Sequence, residues 1–400
     1  MGKYYELTTD TIVEYINKTF DFFDKDADYF TEEIGDGNLN LVFRIRDEKT
    51  GKSLIAKQAL PYVRAAGEAW PLDIERGVIE TKVLEIEYDL TNGLVPKVYK
   101  YDLDMYLMIM EDLSDYQIMR YGLLEGKQYP KFAEQISDFL VKTLLLTSDV
   151  VLDHHKKKDL VKDFINPELC DITEDLVYTE PFFSGARNDF EHGILRFVEN
   201  NIWNDDALKL EAAKLKFDFM NNAQALLHGD LHTGSIFVNQ ESTKVIDPEF
   251  AFYGPIAYDT GALVANLIMN YISADASFTG DLKEKHNAYM LTTLKDTVDL
   301  FIKKFLAIFD SVATDKMAKV KGFKEWYLNR ILVDTAGVAG TEMIRRTVGF
   351  AQVKDLNAIE NIGLRIKAKE TNILIAKELI MSRETFITGS DYVNLIKRYF

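Results

Sequence analysis

The chain has 400 residues, enough for two lobes with a cleft between them. Its 64 acidic side chains outnumber 47 basic ones, and the net charge of −17 excludes broad binding to nucleic acid or attraction to anionic membranes. One cysteine, Cys170, excludes an intrachain disulfide and any cysteine-built zinc site. Residues 1–6 carry no apolar leader and no apolar run approaches a membrane span, so a soluble cytoplasmic enzyme is expected.

Thr8 to Phe23 keeps helical spacing and predicts a packing helix. Glu33 to Ile45 then sets two close glycines, Gly35 and Gly37, among strand-forming residues. This suits a hairpin whose backbone N–H groups approach phosphates, although a plain hairpin explains the same residues. Asn40 stands where a full glycine-rich motif has its third Gly, and no helix follows, which argues against a Rossmann nucleotide site. Asp47 to Ser53 contains Gly-Lys-Ser, but Arg46 occupies the place of the first glycine of a P-loop, leaving an exposed hairpin turn. In the strand Leu54 to Leu60, Lys57 sits among apolar residues, where its ammonium requires an anion. A helix is expected over Asp73 to Tyr88, and a strand from Met105 to Met110 that runs into Glu111-Asp112-Leu113-Ser114.

Beyond that turn the pattern becomes helical. Phe132, Ile136, Phe139, Leu140 and Leu144 keep helical spacing, as do Leu208, Ala212, Leu215 and Phe219, and later Leu294, Val298, Phe301 and Phe305. These are core stripes. His154 to Lys158 is read as a solvated turn, because adjacent histidines rarely converge on a ligand. Asn166 to Glu174 places a proline and cap residues ahead of a new element at Leu176 to Pro181.

The chemistry concentrates in His228-Gly229-Asp230-Leu231-His232 and in Ile246-Asp247-Pro248-Glu249. A helix stopped at Gly229, a tight loop, a strand from Ile236, a turn over Asn239 to Thr243 and a strand from Lys244 to Ile246 are expected. Such a hairpin sets Asp230 and the pair Asp247/Glu249 at one end of a ribbon. Three carboxylates without an obvious basic partner repel one another, and a divalent cation is the usual compensation. Asp259 is placed as the N-cap of the apolar helix that follows. Farther on, Arg345 and Arg346 sit among Met343, Ile344, Val348 and Phe350. At least one is expected to be buried with an anionic partner, and a guanidinium fork suits phosphoryl oxygens or a sugar hydroxyl.

The HGDLH loop followed by I-D-x-E resembles the phosphotransferase branch of the protein-kinase-like fold. HGDLHTGSI, D-P-E, E-I-G-D-G-N-L-N, M-E-D-L-S, N-P-x-L-C-x-I-T-E and RR-T-x-G-x-A together resemble the 5-methylthioribose kinase family over most of the chain. The resemblance implies an α+β, bilobal kinase-like fold: a β-rich N-lobe over 1–110, a hinge at 111–115, and a mostly helical C-lobe over 116–400. It implies a homodimeric, ATP- and Mg²⁺-dependent kinase acting on the anomeric hydroxyl of a small sugar in methionine salvage. Asp230 would orient the acceptor hydroxyl and accept its proton, while Asp247 and Glu249 hold Mg²⁺ beside Pro248. Lys57 would contact the α/β-phosphates beneath Asn40 and the Gly35–Gly37 loop, paired with Glu80 or alternatively Glu85. Adenine would bond the backbone of Glu111, Asp112 and Leu113, and Asp259 would hold the catalytic loop. Arg345 with Arg346 would bind the sugar and neutralise charge on the phosphoryl group. Ser235 departs from the broader kinase pattern, which has a metal-binding Asn there. The alternative is a kinase-like phosphotransferase acting on choline, homoserine or an aminoglycoside, whose cationic substrates the paired arginines would repel.

Overall fold

The structure, a computed structural model, describes residues 4–34, 39–64 and 67–400. It divides into two compact units: unit 1 is Met1–Asp115 with Lys244–Ala251, and unit 2 is Tyr116–Thr243 with Phe252–Phe400.

Unit 1 is a five-stranded antiparallel sheet flanked by helices. Its elements are α1 (Thr9–Thr19), β1 (Tyr29–Glu33), β2 (Asn40–Asp47), β3 (Ser53–Ala59), a small hairpin of β4 (Tyr62–Val63) and β5 (Gly67–Pro71), α2 (Arg76–Thr91), β6 (Val98–Asp102) and β7 (Leu107–Glu111). The strand order is β1-β2-β3-β7-β6, so β3 is central. Alternation along β3 sends Leu54 and Ala56 into a core with Ile12 and Ile16 of α1, Phe43 and Ile45 of β2, and Ile109 of β7. Lys57, one residue on, therefore lies on the opposite face, across from Val42 and Met108 in the ladder. Thr8 caps α1 by accepting from Thr11 N–H. The helix ends at Thr19, short of the expected Phe23, because Phe20, Phe22 and Phe23 leave it to pack against Tyr99 and Tyr29. Asp47 organises the β2–β3 turn by accepting from Thr50 and from the N–H groups of Asp28 and Lys49.

Unit 2 is mostly helical. It runs through β8 (Gln117–Ile118), α3 (Met119–Leu124), α4 (Phe132–Leu140), α5 (His154–Asp163), α6 (Pro167–Leu176), α7 (Leu195–Val198), α8 (Asp206–Asn221), β9 (Ala225–Leu226), β10 (Ile236–Val238), β11 (Thr243–Val245, where the chain passes back to unit 1), β12 (Tyr253–Gly254), α9 (Ala257–Ser277), α10 (Gly280–Val312), α11 (Phe323–Val348), α12 (Lys354–Asn357), α13 (Ile362–Met381) and α14 (Gly389–Tyr399). Every stripe residue singled out above on α4, α8 and α10 is buried. Among the described residues, no helix is long and apolar enough to cross a membrane.

Two expectations change here. His154 to Lys158 is the first turn and a half of α5, capped by Asp153, and Lys157 is buried. Its ammonium meets Asp149 at 3.0 Å and the face of Tyr253, so the run is only partly solvated. The new element after Asn166 begins at once with Pro167, in the first helical turn where proline is tolerated.

The buried helix α9 approaches α11 closely at Gly261, and α11 approaches α13 closely at Gly340. A Cβ on Gly261 would stand 2.6 Å from Val338 Cβ and 2.8 Å from Thr335 O, and one on Gly340 would stand 2.5 Å from Ala376 O on α13. The two glycines thus set the spacing of the core of unit 2. Gly340→Ala gains about 1 kcal/mol in helix propensity, but overpacking against backbone costs about 1–3 kcal/mol. A net destabilisation, read as a lower Tm, is expected; an unchanged or higher Tm would contradict this packing.

Candidate active site

In unit 1 the central strand and α2 bury a lysine among carboxylates. Lys57 Nζ lies 2.7 Å from Glu80 Oε1 and also bonds Asp247 Oδ1. Glu85, the alternative partner, is exposed; Glu80, at 3 % exposure, is the partner. Asp247 takes a left-handed backbone (φ 69°), a conformation that Asp tolerates better than most residues. Glu249 is buried, accepts from Asn40 Nδ2 at 3.0 Å, and lies 3.5 Å from Arg76 Nε. Arg76 is itself buried and donates to Leu60 O, Leu39 O and Asn40 Oδ1. Burial alone would push the Lys57 pKa down, but Asp247, Glu80 and Glu249 together raise it above its ordinary value. Burial pushes Glu80 up to about 7 against the pull of Lys57, with Asp247 and Glu249 adding to the rise, and burial and Asp247 raise Glu249.

Ligand oxygens of Glu80, Asp247 and Glu249 all lie within 4.8 Å of one another. Hard oxygen donors crowded to this degree have the chemistry that Mg²⁺ takes. Pro248 between them is buried. Along the expected hinge, Glu111 binds Lys244 at 3.1 Å, Asp112 binds Arg44 at 3.2 Å, and Leu113 is buried. Those side chains are engaged structurally. Gly35 and Gly37 lie outside the described residues.

In unit 2 the loop after β9 carries the second group. No helix stops at Gly229: α8 has already ended at Asn221, and the short strand β9 leads in. Gly229 has φ 84°, which only glycine adopts freely. Asp259 is the third residue of α9, whose N-cap is Ile256, so the expected capping role is replaced. Its carboxylate accepts instead from His228 N–H at 2.7 Å and Gly229 N–H at 3.0 Å, fixing the loop.

Asp230, 28 % exposed at its side chain, has Oδ1 3.4 Å from Arg346 Nη2 and Oδ2 3.3 Å from His232 Nε2. Arg346 is buried and donates from Nε to Glu342 at 2.6 Å. Glu342 also lies 3.4 Å from Arg345, whose buried Nε has no hydrogen-bond partner. Burial would raise the Asp230 pKa, but His232, Arg346 and Arg345 hold it well below the usual carboxylate range. The idea of three carboxylates lacking basic partners is therefore corrected. Asp247 has Lys57, Glu249 has Arg76, and Asp230 has Arg346.

Arg76, Arg120, His232, Lys244 and Glu342 escaped the sequence reading. Glu342 was findable, since a single acid three residues before one arginine and four before the next shares their helix face. An arginine opening α2 opposes the helix dipole, a sign that it serves the surrounding backbone. Arg120 gave no local signal.

Lys57→Met leaves three crowded carboxylates without their ammonium, and breaking a buried pair costs about 3–5 kcal/mol. A carboxyl whose folded pKa exceeds its unfolded value holds its proton longer in the folded state, so its contribution is present at low pH and lost as pH rises through the folded pKa. The deficit of Lys57→Met, measured by urea unfolding without divalent cations, is expected to be largest near pH 8 and to shrink toward pH 5. A deficit that grows on acidification would contradict the arrangement.

Residues 31–284 match the model of the phosphotransferase enzyme family. The methylthioribose kinase of Geobacillus sp. (strain WCH70) is 45 % identical over 363 residues, covering 91 % of this chain and 88 % of that protein. The methylthioribose kinase of Bacillus cereus (strain ATCC 14579) is 42 % identical over 377 residues, covering 94 % and 93 %. Among solved structures, choline kinase from Cryptosporidium parvum Iowa II matches with a TM-score of 0.50 at 13 % identity over 95 % of this chain and 98 % of that one, a likeness of fold alone. The chain belongs to the phosphotransferase enzyme family and, within it, to the methylthioribose kinases.

Proposed function

We propose that the protein transfers the γ-phosphoryl group of ATP to the anomeric C1 hydroxyl of 5-methylthioribose, giving 5-methylthioribose 1-phosphate in methionine salvage. The carrying observation is an ionised, partly exposed Asp230 flanked by two mostly buried arginines, one of which keeps an unpartnered N–H. The partly exposed remainder of the Arg345 guanidinium suits an anionic or hydroxyl oxygen.

In this assignment residues 1–110 form the nucleotide lobe, 111–115 the hinge, and 116–400 the acceptor lobe. Backbone groups of Glu111, Asp112 and Leu113 bind adenine, and Lys57, oriented by Glu80, contacts the α/β-phosphates near Asn40. Mg²⁺, held by Asp247 and Glu249, supplies charge neutralisation on the phosphates when bound. Asp230 orients the C1 hydroxyl. A carboxylate with so low a pKa is a weak base, and it takes the proton late, as a loose phosphoryl-transfer transition state permits. Arg345 and Arg346 bind the sugar and neutralise charge that builds on the phosphoryl group. The protein acts as a cytoplasmic homodimer.

Purified protein with Mg-ATP is expected to release ADP on methylthioribose and to remove its free anomeric hydroxyl. ADP release on choline, homoserine or aminoglycosides, with none on methylthioribose, would overturn the proposal. Arg345→Ala is expected to lower kcat/KM for the sugar by roughly 10–10²-fold or more and to leave KM for ATP nearly unchanged, checked by steady-state kinetics in both substrates.

A further inference from the structure

His232 sits two residues past Asp230, and its ring is fixed from several sides. Nδ1 accepts from Gly234 N–H at 3.0 Å and from Ser235 N–H at 3.0 Å, and the Ser235 hydroxyl lies 3.2 Å away. An imidazole nitrogen facing two backbone donors must be the unprotonated one, so the ring proton resides on Nε2, the nitrogen 3.3 Å from Asp230 Oδ2. The space over Gly234 is shared by this ring and by Arg120. A Cβ there would fall 2.9 Å from His232 Cε1 and 2.8 Å from Arg120 Nη1. Arg120 is anchored in turn by Asn266 at 2.9 Å and Asp355 at 3.1 Å, and its own N–H bonds Thr233 O at 3.0 Å. Ser235 thereby gains a part that a metal ligand would not have: its buried hydroxyl serves the histidine.

We propose that His232 is a positioning residue for Asp230. Its Nε2–H holds Oδ2 while Arg346 holds Oδ1, so the carboxylate offers its remaining lone pairs to the acceptor hydroxyl in one orientation. This deepens the kinase assignment above and rests on it. The charged groups facing the ring are Asp230, Arg120 and Arg346. Burial, opposed by Asp230 and aided by Arg120, holds the imidazole below its ordinary value, so it is neutral at pH 7. Protonation on acidification would put a second N–H against the donors of Gly234 and Ser235, and the ring would lose its seat.

The test compares His232→Leu and His232→Gln with the wild-type enzyme, using methylthioribose and Mg-ATP between pH 5 and 8. The Leu variant loses the donor, and kcat is expected to fall about 10–10²-fold, the size of one hydrogen bond to a charged group, with KM for ATP unchanged. Glutamine places an amide N–H near the position of Nε2 and is expected to recover most of kcat. It carries no titrating ring, so it is also expected to lose the acid limb expected of the wild type. Unchanged kcat in the Leu variant, or a Gln variant that retains the wild-type acid limb, would overturn the inference. Should the Leu variant not fold, the Gln variant and its pH profile decide alone. A wild-type enzyme inactive on methylthioribose would defeat the functional assignment, a separate failure.

Discussion

Arg346 carries a charge that never titrates almost wholly out of water, and two anions make this possible. Glu342, one helical turn earlier on α11, takes the Nε proton at 2.6 Å, and Asp230 faces Nη2 at 3.4 Å. Removing two ions from water costs several kcal/mol each, and their attraction offsets this only when the geometry is good. The short bond to Glu342 satisfies that condition. The longer approach to Asp230 offsets its charge while leaving that carboxylate partly exposed. A short, buried ion pair and a longer, partly exposed one thus share a single guanidinium.

Unit 1 solves a different electrostatic problem. There the surplus is negative: three carboxylates meet one lysine, and Arg76 spends most of its donors on backbone carbonyls. Burial, with the neighbouring carboxylates adding to it, pushes Glu80 up to about 7. Crowding of this kind suits a site that binds a divalent cation with an anionic nucleotide, since the cation relieves the repulsion. In unit 2 the loop bearing Asp230 is instead tied by Asp259 to the start of α9, a helix buried along most of its length. A loop bonded to so deeply buried a helix is held rigidly, which the proposed positioning mechanism requires.

Local patterns were legible in the sequence and long-range partners were not. The stripes on α4, α8 and α10, the hairpin at Ile236, and the placement of Lys57 follow from periodicities of 3.6 and 2 that packing obeys. The burial of one arginine of the pair could be inferred from the apolar residues around it. The carboxylates looked unpartnered because their cations lie far along the chain: Lys57 is 190 residues from Asp247 and Arg346 is 116 from Asp230. From its neighbours alone Asp259 looked like a cap, and only the family resemblance implied its acceptor role, which depends on a loop 31 residues earlier. Lys157 looked solvated because nothing nearby announced Asp149 or Tyr253 as its partners.

In the proposed reaction an ionised Asp230 orients the acceptor hydroxyl and finally takes its proton. Single-turnover transfer to methylthioribose by Asp230→Asn, with Mg-ATP affinity measured on the same preparation, tests it most directly. The charge is lost and the shape kept, so transfer is expected to slow by roughly 10²–10⁴-fold while nucleotide affinity stays near that of the wild type. Transfer at a near wild-type rate would contradict the account.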